Sequence, residues 1–219
     1  MISHIVFDCD GVLVDSEPLS MAVDYELLAE NGVSLSPEEV SHRFIGLTFA
    51  ALVAAVEREF GITLPAGLEA EKDRRLAARF TRELQPVAGV ADLLERLDLP
   101  LSIASNSKKA RVALALELTG LNRFFGNRIS SFEETRHGKP APDVYLLAAA
   151  RAGQPPERCL AVEDSVAGVT SALAAGFEVV GFTGAYHDAN AQAQRLAGAG
   201  AAQIVAEMSA LTGAIARFG

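Results

Sequence analysis

Two aspartates one residue apart, Asp8 and Asp10, close the apolar run His4–Phe7 and are followed at once by Gly11. The run is apolar and partly β-branched, as a buried strand is. In an extended chain residues i and i+2 project to the same side. Both carboxylates would then face one site at the carboxyl end of a strand, which is where open α/β sheets bind ligands. Two buried carboxylates so close cannot both stay ionised without a cation or a shared proton. The plainer alternative is a strand that ends in a solvated acidic turn.

Three further groups lie in similar positions. An apolar run, LSIASNS, ends in Ser105-Asn106-Ser107 just before a helical pattern. The stretch GKPAPD sets Lys139 ahead of Pro140 and Pro142, with Asp143 opening another helix. A third run, CLAVEDS, ends in Glu163-Asp164-Ser165 and leads into a helix stopped by Gly176. Taken singly, each has a structural reading. Ser105 or Asn106 could cap a helix, Lys139 could be a solvated loop lysine, and Glu163-Asp164 could be a loop and an N-cap. Taken in order, DxDGxxxDS, SNS, GKPxPD and EDS resemble the four motifs of the haloacid dehalogenase superfamily. The likeness is to its phosphatase and β-phosphoglucomutase-like branch, and it covers essentially the whole chain.

That resemblance implies a phosphoryl-transfer site. Asp8 would attack phosphorus and carry it as an acyl phosphate, splitting one difficult displacement into two. Asp10 would protonate the leaving oxygen and then deprotonate water. Mg²⁺ would be held by the Asp8 side chain, the Asp10 backbone carbonyl and Asp164, with Glu163 nearby or bound through water. Ser105, Asn106 and Lys139 would hold the transferring oxygens. The second aspartate argues against dehalogenation, because haloacid dehalogenases lack it. A phosphonatase-type Schiff base is disfavoured, since no lysine precedes Lys72. Relatives with mutase activity carry a histidine where this chain has Ser20, and cationic residues where it has Ile45 and Phe49 around Gly46. The expectation is therefore hydrolysis of a small phosphorylated metabolite, a sugar or sugar-acid phosphate. A phosphosugar mutase and a catalytically silent metabolite-binding protein are the competing readings. Gly46 and Thr48 are candidates for substrate specificity, although Thr48 also suits a helix N-cap.

The elements that must position these residues follow from periodicity. Helical stretches alternate with short apolar runs, which predicts an α/β protein with a Rossmann-like parallel sheet. Between residues 16 and 86 the pattern is purely helical. Pro18–Glu30 reads as one helix, and Ser36-Pro37-Glu38-Glu39 as a capping box opening a second. Phe49–Phe60 and Pro65–Leu84 read as two more, the last with Glu71 and Arg75 in supporting positions. Its arginines Arg74, Arg75, Arg79 and Arg82 read as a solvated face among acidic neighbours. Residues 1–15 and 87–219 are expected to form the core, with a late edge strand at Ala201–Val205, and 16–86 a helical cap inserted after the first strand.

Composition narrows the partners. Half of the 219 residues are apolar, enough for a large core. The formal charge is −9, from 28 acidic and 19 basic residues, and there is no basic tract, so nucleic acid is not an expected partner. The uncharged stretch Ser165–Phe177, as long as any in the chain, is too short to span a membrane. The first strand starts within a few residues of Met1, where a signal peptide would have no room. Two cysteines, Cys9 and Cys159, are expected in strands near one edge of the site and unbonded. These features predict a cytoplasmic protein, a monomer or weak dimer.

Overall fold

Short β-branched runs buried on both faces build one parallel sheet in the computed structural model, which describes residues 1–44, 48–186 and 188–218. The first strand is β1 (His4–Phe7). Four helices follow: α1 (Glu17–Glu30), α2 (Pro37–Phe44), α3 (Phe49–Phe60) and α4 (Leu68–Glu83). Alternation then resumes with α5 (Val90–Arg96), β2 (Leu101–Ser105), α6 (Lys109–Leu118), α7 (Asn122–Phe125) and β3 (Ile129–Ser131). The chain continues through α8 (Asp143–Ala152), β4 (Cys159–Glu163), α9 (Val166–Ala174) and β5 (Glu178–Phe182). It ends with α10 (Ala189–Gly198), β6 (Gln203–Val205) and α11 (Met208–Ile215). The six strands are parallel in the order β3-β2-β1-β4-β5-β6, the α/β sheet that the alternating pattern predicts.

Every residue of β1, β2 and β4 is buried, as expected for strands covered on both faces. Their register is level: Phe7 lies opposite Ile103 of β2 and Val162 of β4. The carboxyl ends of all three therefore finish side by side. Helices α8 and α9 cover the sheet through Val144, Tyr145, Ala148, Val169 and Ala172, with Tyr145 edge-on to Phe177 at 5.2 Å.

The chain divides into two compact units, Met1–Asp15 with Gln85–Gly219, and Ser16–Leu84. The two segments at the junction are tied together within the sheet unit. The Val87 N–H donates to the Leu13 carbonyl and the Asp15 N–H to the Gln85 carbonyl, each at 3.0 Å. The helical unit has its own core of Leu28, Val33, Val40, Phe44, Leu52, Val56 and Leu64. Its capping box forms as the sequence predicts: Ser36 Oγ accepts from the Glu39 N–H, and the Glu39 carboxylate accepts from the Ser36 N–H. The arginines of α4 are paired, Arg75 with Glu30 and Glu71, Arg74 with Glu71 and Arg79 with Glu26, which is the solvated face expected of them.

Three expectations are corrected. Helix α4 begins at Leu68 rather than Pro65, because Gly67 takes a left-handed conformation (φ +92°) that helical geometry does not allow. Cys9 lies beyond β1, in the turn that follows it. Cys159 opens β4, so it sits at the amino end of the strand whose carboxyl end carries Glu163. Both cysteines are buried and free. Among the described residues no helix is long and apolar enough to cross a membrane.

Candidate active site

The residues singled out by motif converge where β1, β2 and β4 end. Lys139, from the loop before α8, is the hub. Its ammonium donates to Asp8 Oδ1 at 2.5 Å, to Glu163 Oε1 at 2.5 Å and to the Ala104 carbonyl at 2.9 Å. All three of its protons are thereby used. Its side chain is 3 % exposed, so it is not a solvated loop lysine. Asn106 fixes that loop: its Oδ1 accepts from the Lys139 N–H at 2.7 Å, and its Nδ2 donates to the Lys139 carbonyl at 3.1 Å.

The plainer readings of the other motifs do not hold. Neither Ser105 nor Asn106 caps α6, whose N-cap is Lys108. Ser105 is buried at the end of β2, and its Oγ accepts from the Ser107 N–H. Helix α9 is capped by Ser165, whose Oγ accepts from the Gly168 N–H at 3.0 Å, so Asp164 is not its N-cap. Gln192 holds the backbone there by donating to the Asp164 carbonyl.

Two glycines make room for the acids. Gly11 has φ +76°, and a Cβ on it would lie 2.0 Å from Asp164 Oδ2. A Cβ on Gly168, inside α9, would lie within 2.0 Å of both carboxylate oxygens of Glu163. Only glycine permits such approaches. Glu163 is fully buried and also accepts from the Tyr145 hydroxyl at 2.7 Å and the Ser165 hydroxyl at 3.1 Å.

Asp8, Glu163 and Asp164 are all buried, and each offers an oxygen within 4.8 Å of the other two. Among the described residues one ammonium, that of Lys139, stands against these three carboxylates, which leaves an excess of negative charge there. Burial pushes the Asp8 carboxyl up to about 7 against the pull of Lys139, with Glu163 and Asp10 adding to the rise. Burial also opposes the charge on Lys139, yet Asp8 and Glu163 outweigh it and hold the ammonium above its ordinary range. The Tyr145 phenol is pushed well up by burial and by Glu163 and Asp8, which keeps it a donor. Hard oxygen donors in this number and spacing fit a divalent cation, whose charge would relieve the deficit.

Asp10 stands apart from that cluster. Its Oδ2 accepts from the Ser107 hydroxyl at 2.5 Å and its Oδ1 from Arg111 Nη2 at 2.9 Å. Cys9 between the two aspartates is no nucleophile: burial, then Asp10 and Asp8, push its thiol well up. Thr48 caps α3, its Oγ1 accepting from the Ala51 N–H at 3.2 Å. Ile45 and Gly46 lie outside the described residues.

Arg111 and Tyr145 carry no motif signal and are absent from the sequence reading. For Arg111 a signal does exist: a cation in the first turn of a helix opposes the helix dipole and calls for a nearby anion. Tyr145 offers none, because a tyrosine in a helix facing the sheet reads as core.

Comparison with known proteins places this geometry. The chain is 33% identical over 189 residues to the 6-phosphogluconate phosphatase of Escherichia coli, covering 85% of each chain. A solved haloacid dehalogenase-like protein of unknown function from Agrobacterium tumefaciens superposes with a TM-score of 0.90 at 40% identity, covering 99% of each chain. A haloacid dehalogenase family hydrolase from Deinococcus radiodurans, solved with bound phosphate and sodium, superposes with a TM-score of 0.81 at 34% identity, covering 100% of this chain and 96% of that one. The family model for haloacid dehalogenase-like hydrolases matches residues 2–176, and with Asp8, Lys139, Glu163 and Asp164 gathered at the strand ends, the chain belongs to that family of hydrolases.

Proposed function

We propose that this chain is a Mg²⁺-dependent phosphatase of a small phosphorylated metabolite, a sugar or sugar-acid phosphate, working through an aspartyl phosphate on Asp8. The observation that carries the reading is the buried cluster of Asp8, Glu163 and Asp164 with Lys139 bridging the first two. A dianionic phosphate could not approach three carboxylates unaided; bound Mg²⁺ supplies the charge neutralisation that lets it do so. Asp8, Glu163 and Asp164 are the residues that would hold it. The activity named for the Escherichia coli relative, on 6-phosphogluconate, and the phosphate bound in the Deinococcus structure favour this substrate class.

The chemistry divides into two displacements. An Asp8 carboxylate oxygen forms a bond to phosphorus as the bond to the substrate oxygen breaks, and the proton of Asp10 passes to that leaving oxygen. Water then attacks phosphorus, Asp10 takes its proton, and the bond to Asp8 breaks to free inorganic phosphate. Both carboxyl groups return to their starting states. Lys139, Ser105 and Asn106 would donate to the phosphoryl oxygens in the transition state, where charge is spread over them.

Phosphate release from a panel of phosphorylated metabolites with Mg²⁺ tests the reading. One or more sugar or sugar-acid phosphates should be hydrolysed, and Asp8→Asn should abolish turnover without unfolding the protein. Uncatalysed phosphate-monoester hydrolysis is so slow that enzymes reach up to ~10²¹-fold acceleration, so the assay has ample range. Substantial hydrolysis by a folded Asp8→Asn protein would overturn the covalent mechanism.

A further inference from the structure

We infer that Arg111 is a positioning residue for proton transfer, setting the Asp10 carboxyl group in the orientation the reaction uses. The inference rests on the reading of Asp10 as acid and base. Asp10 sits in the turn after β1. Its two oxygens are held separately, Oδ1 by Arg111 Nη2 at 2.9 Å and Oδ2 by the Ser107 hydroxyl at 2.5 Å. Ser107 lies in the connection that leads from β2 into α6, and Arg111 in the helix itself. The two ends of this grip differ in chemistry. A guanidinium is always charged and only donates, so its contact with Oδ1 fixes that end of the carboxyl group. Oδ2 is left to the Ser107 hydroxyl. Ser107 suits that oxygen, because a hydroxyl donates to a carboxylate and accepts from a carboxylic acid without moving.

The placement of Arg111 agrees with such a role. It lies in the first turn of α6, where a cation opposes the helix dipole. Asp10 is the anion that offsets this. The Arg111 side chain is only 29 % exposed and reaches across from α6 to the β1 turn, a contact 101 residues apart in sequence. An arginine kept as a surface cation would have no need of that path.

The test compares kcat/KM for phenyl phosphate and p-nitrophenyl phosphate, two substrates of similar shape. This ratio reports steps up to departure of the leaving group, so base catalysis of the second step does not enter. Phenolate needs a proton as it leaves, whereas nitrophenolate needs little help. Asp10→Asn should lower the phenyl phosphate value far more than the p-nitrophenyl value; equal losses would overturn Asp10 as the acid, and the inference with it. Given that contrast, Arg111→Ala and Arg111→Gln should lower the phenyl phosphate value by roughly 10- to 100-fold, part of the ~10²–10⁴ that a general acid contributes. The p-nitrophenyl value should change much less, and Arg111→Lys should recover most of the loss. Losses equal on both substrates would assign Arg111 to phosphate binding, and no loss would leave it without a part in the reaction. Either result overturns the inference while the Asp10 reading stands.

Discussion

At the scale of single residues, the site is governed by the burial of charge and by the space left for it. Lys139 bonds both Asp8 and Glu163, and each of its three protons is committed. Removing one partner of a buried charge group costs about 3–5 kcal/mol. Lys139→Ala should therefore lower the stability of the metal-free protein by an amount approaching that range, measured by urea unfolding in the presence of a chelator. Turnover should fall with it. Gly168 gives a sharper test, because two effects oppose each other there. Alanine inside a helix is favoured over glycine by about 1 kcal/mol. Yet the added Cβ would fall within 2.0 Å of the Glu163 carboxylate, which is itself held by Lys139 and Tyr145. Overpacking of this kind costs about 1–3 kcal/mol. Gly168→Ala should destabilise, and a variant that melts above the wild type would show that Glu163 has room to move.

At the scale of elements, hydrogen-bonded ends decide how the connections are held. Glu134 follows β3 and completes a capping box with Ser131. It also pairs with Arg151 of α8 at 2.8 Å and with Lys109 of α6 at 3.0 Å, so one carboxylate ties two helices to the end of β3. Hydrogen bonds from Arg151, then from Lys109 and the Ser131 N–H, hold its carboxyl down to about 2 from the ordinary 4.5. A carboxyl depressed in the folded state stabilises above its unfolded value, and that contribution disappears as pH falls from about 4.5 toward 2. Glu134→Gln should therefore flatten the acid limb of the stability curve in that window and leave the curve near neutrality lower by about 1 kcal/mol or less, since the pair is partly exposed. In the helical unit, Thr48 caps α3. Thr48→Ala should cost about 1 kcal/mol and Thr48→Ser much less, read from the unfolding midpoint.

At the scale of the whole molecule, the described residues include one hydrophobic core on the sheet and another among α1 to α4. The charge deficit belongs to the sheet unit alone, so a cation bound there should stabilise the protein by mass action. At Mg²⁺ a hundredfold above its dissociation constant the gain is about 2.7 kcal/mol. Thermal unfolding followed with and without Mg²⁺ should show that shift in the wild type. Asp164→Ala should lose most of it and should not lower the stability of the metal-free protein, because one of three crowded carboxylates is gone. An unchanged Mg²⁺ response in that variant would remove Asp164 from the metal site.

The sheet was legible in the sequence because burial on both faces demands continuous apolar runs, and a short run ending in a polar pair marks where each strand stops. The same logic located Asp8, Ser105, Glu163 and Asp164, since a strand end is a place that sequence alone can name. Lys139 and Asn106 were found through motif order, and their contact, which latches the lysine loop, emerges only in three dimensions. What the tertiary structure decided is everything that depends on distance across the fold. Periodicity cannot tell that Arg111 reaches Asp10 or that Tyr145 reaches Glu163, because it carries no distance across the fold. The place of Cys159 at the far end of β4 was within reach of the sequence, because the run CLAVEDS opens with it and closes on Glu163-Asp164. The sequence by itself placed Asp8, Glu163 and Asp164 at the ends of parallel strands. Its pairing of Asp8 with Asp10 by alternation does not hold, because the strand ends at Phe7 and the Asp10 carboxylate turns to Ser107 and Arg111. Only the packed chain determined their charge balance, because burial and the count of cations within reach are properties of the assembled site.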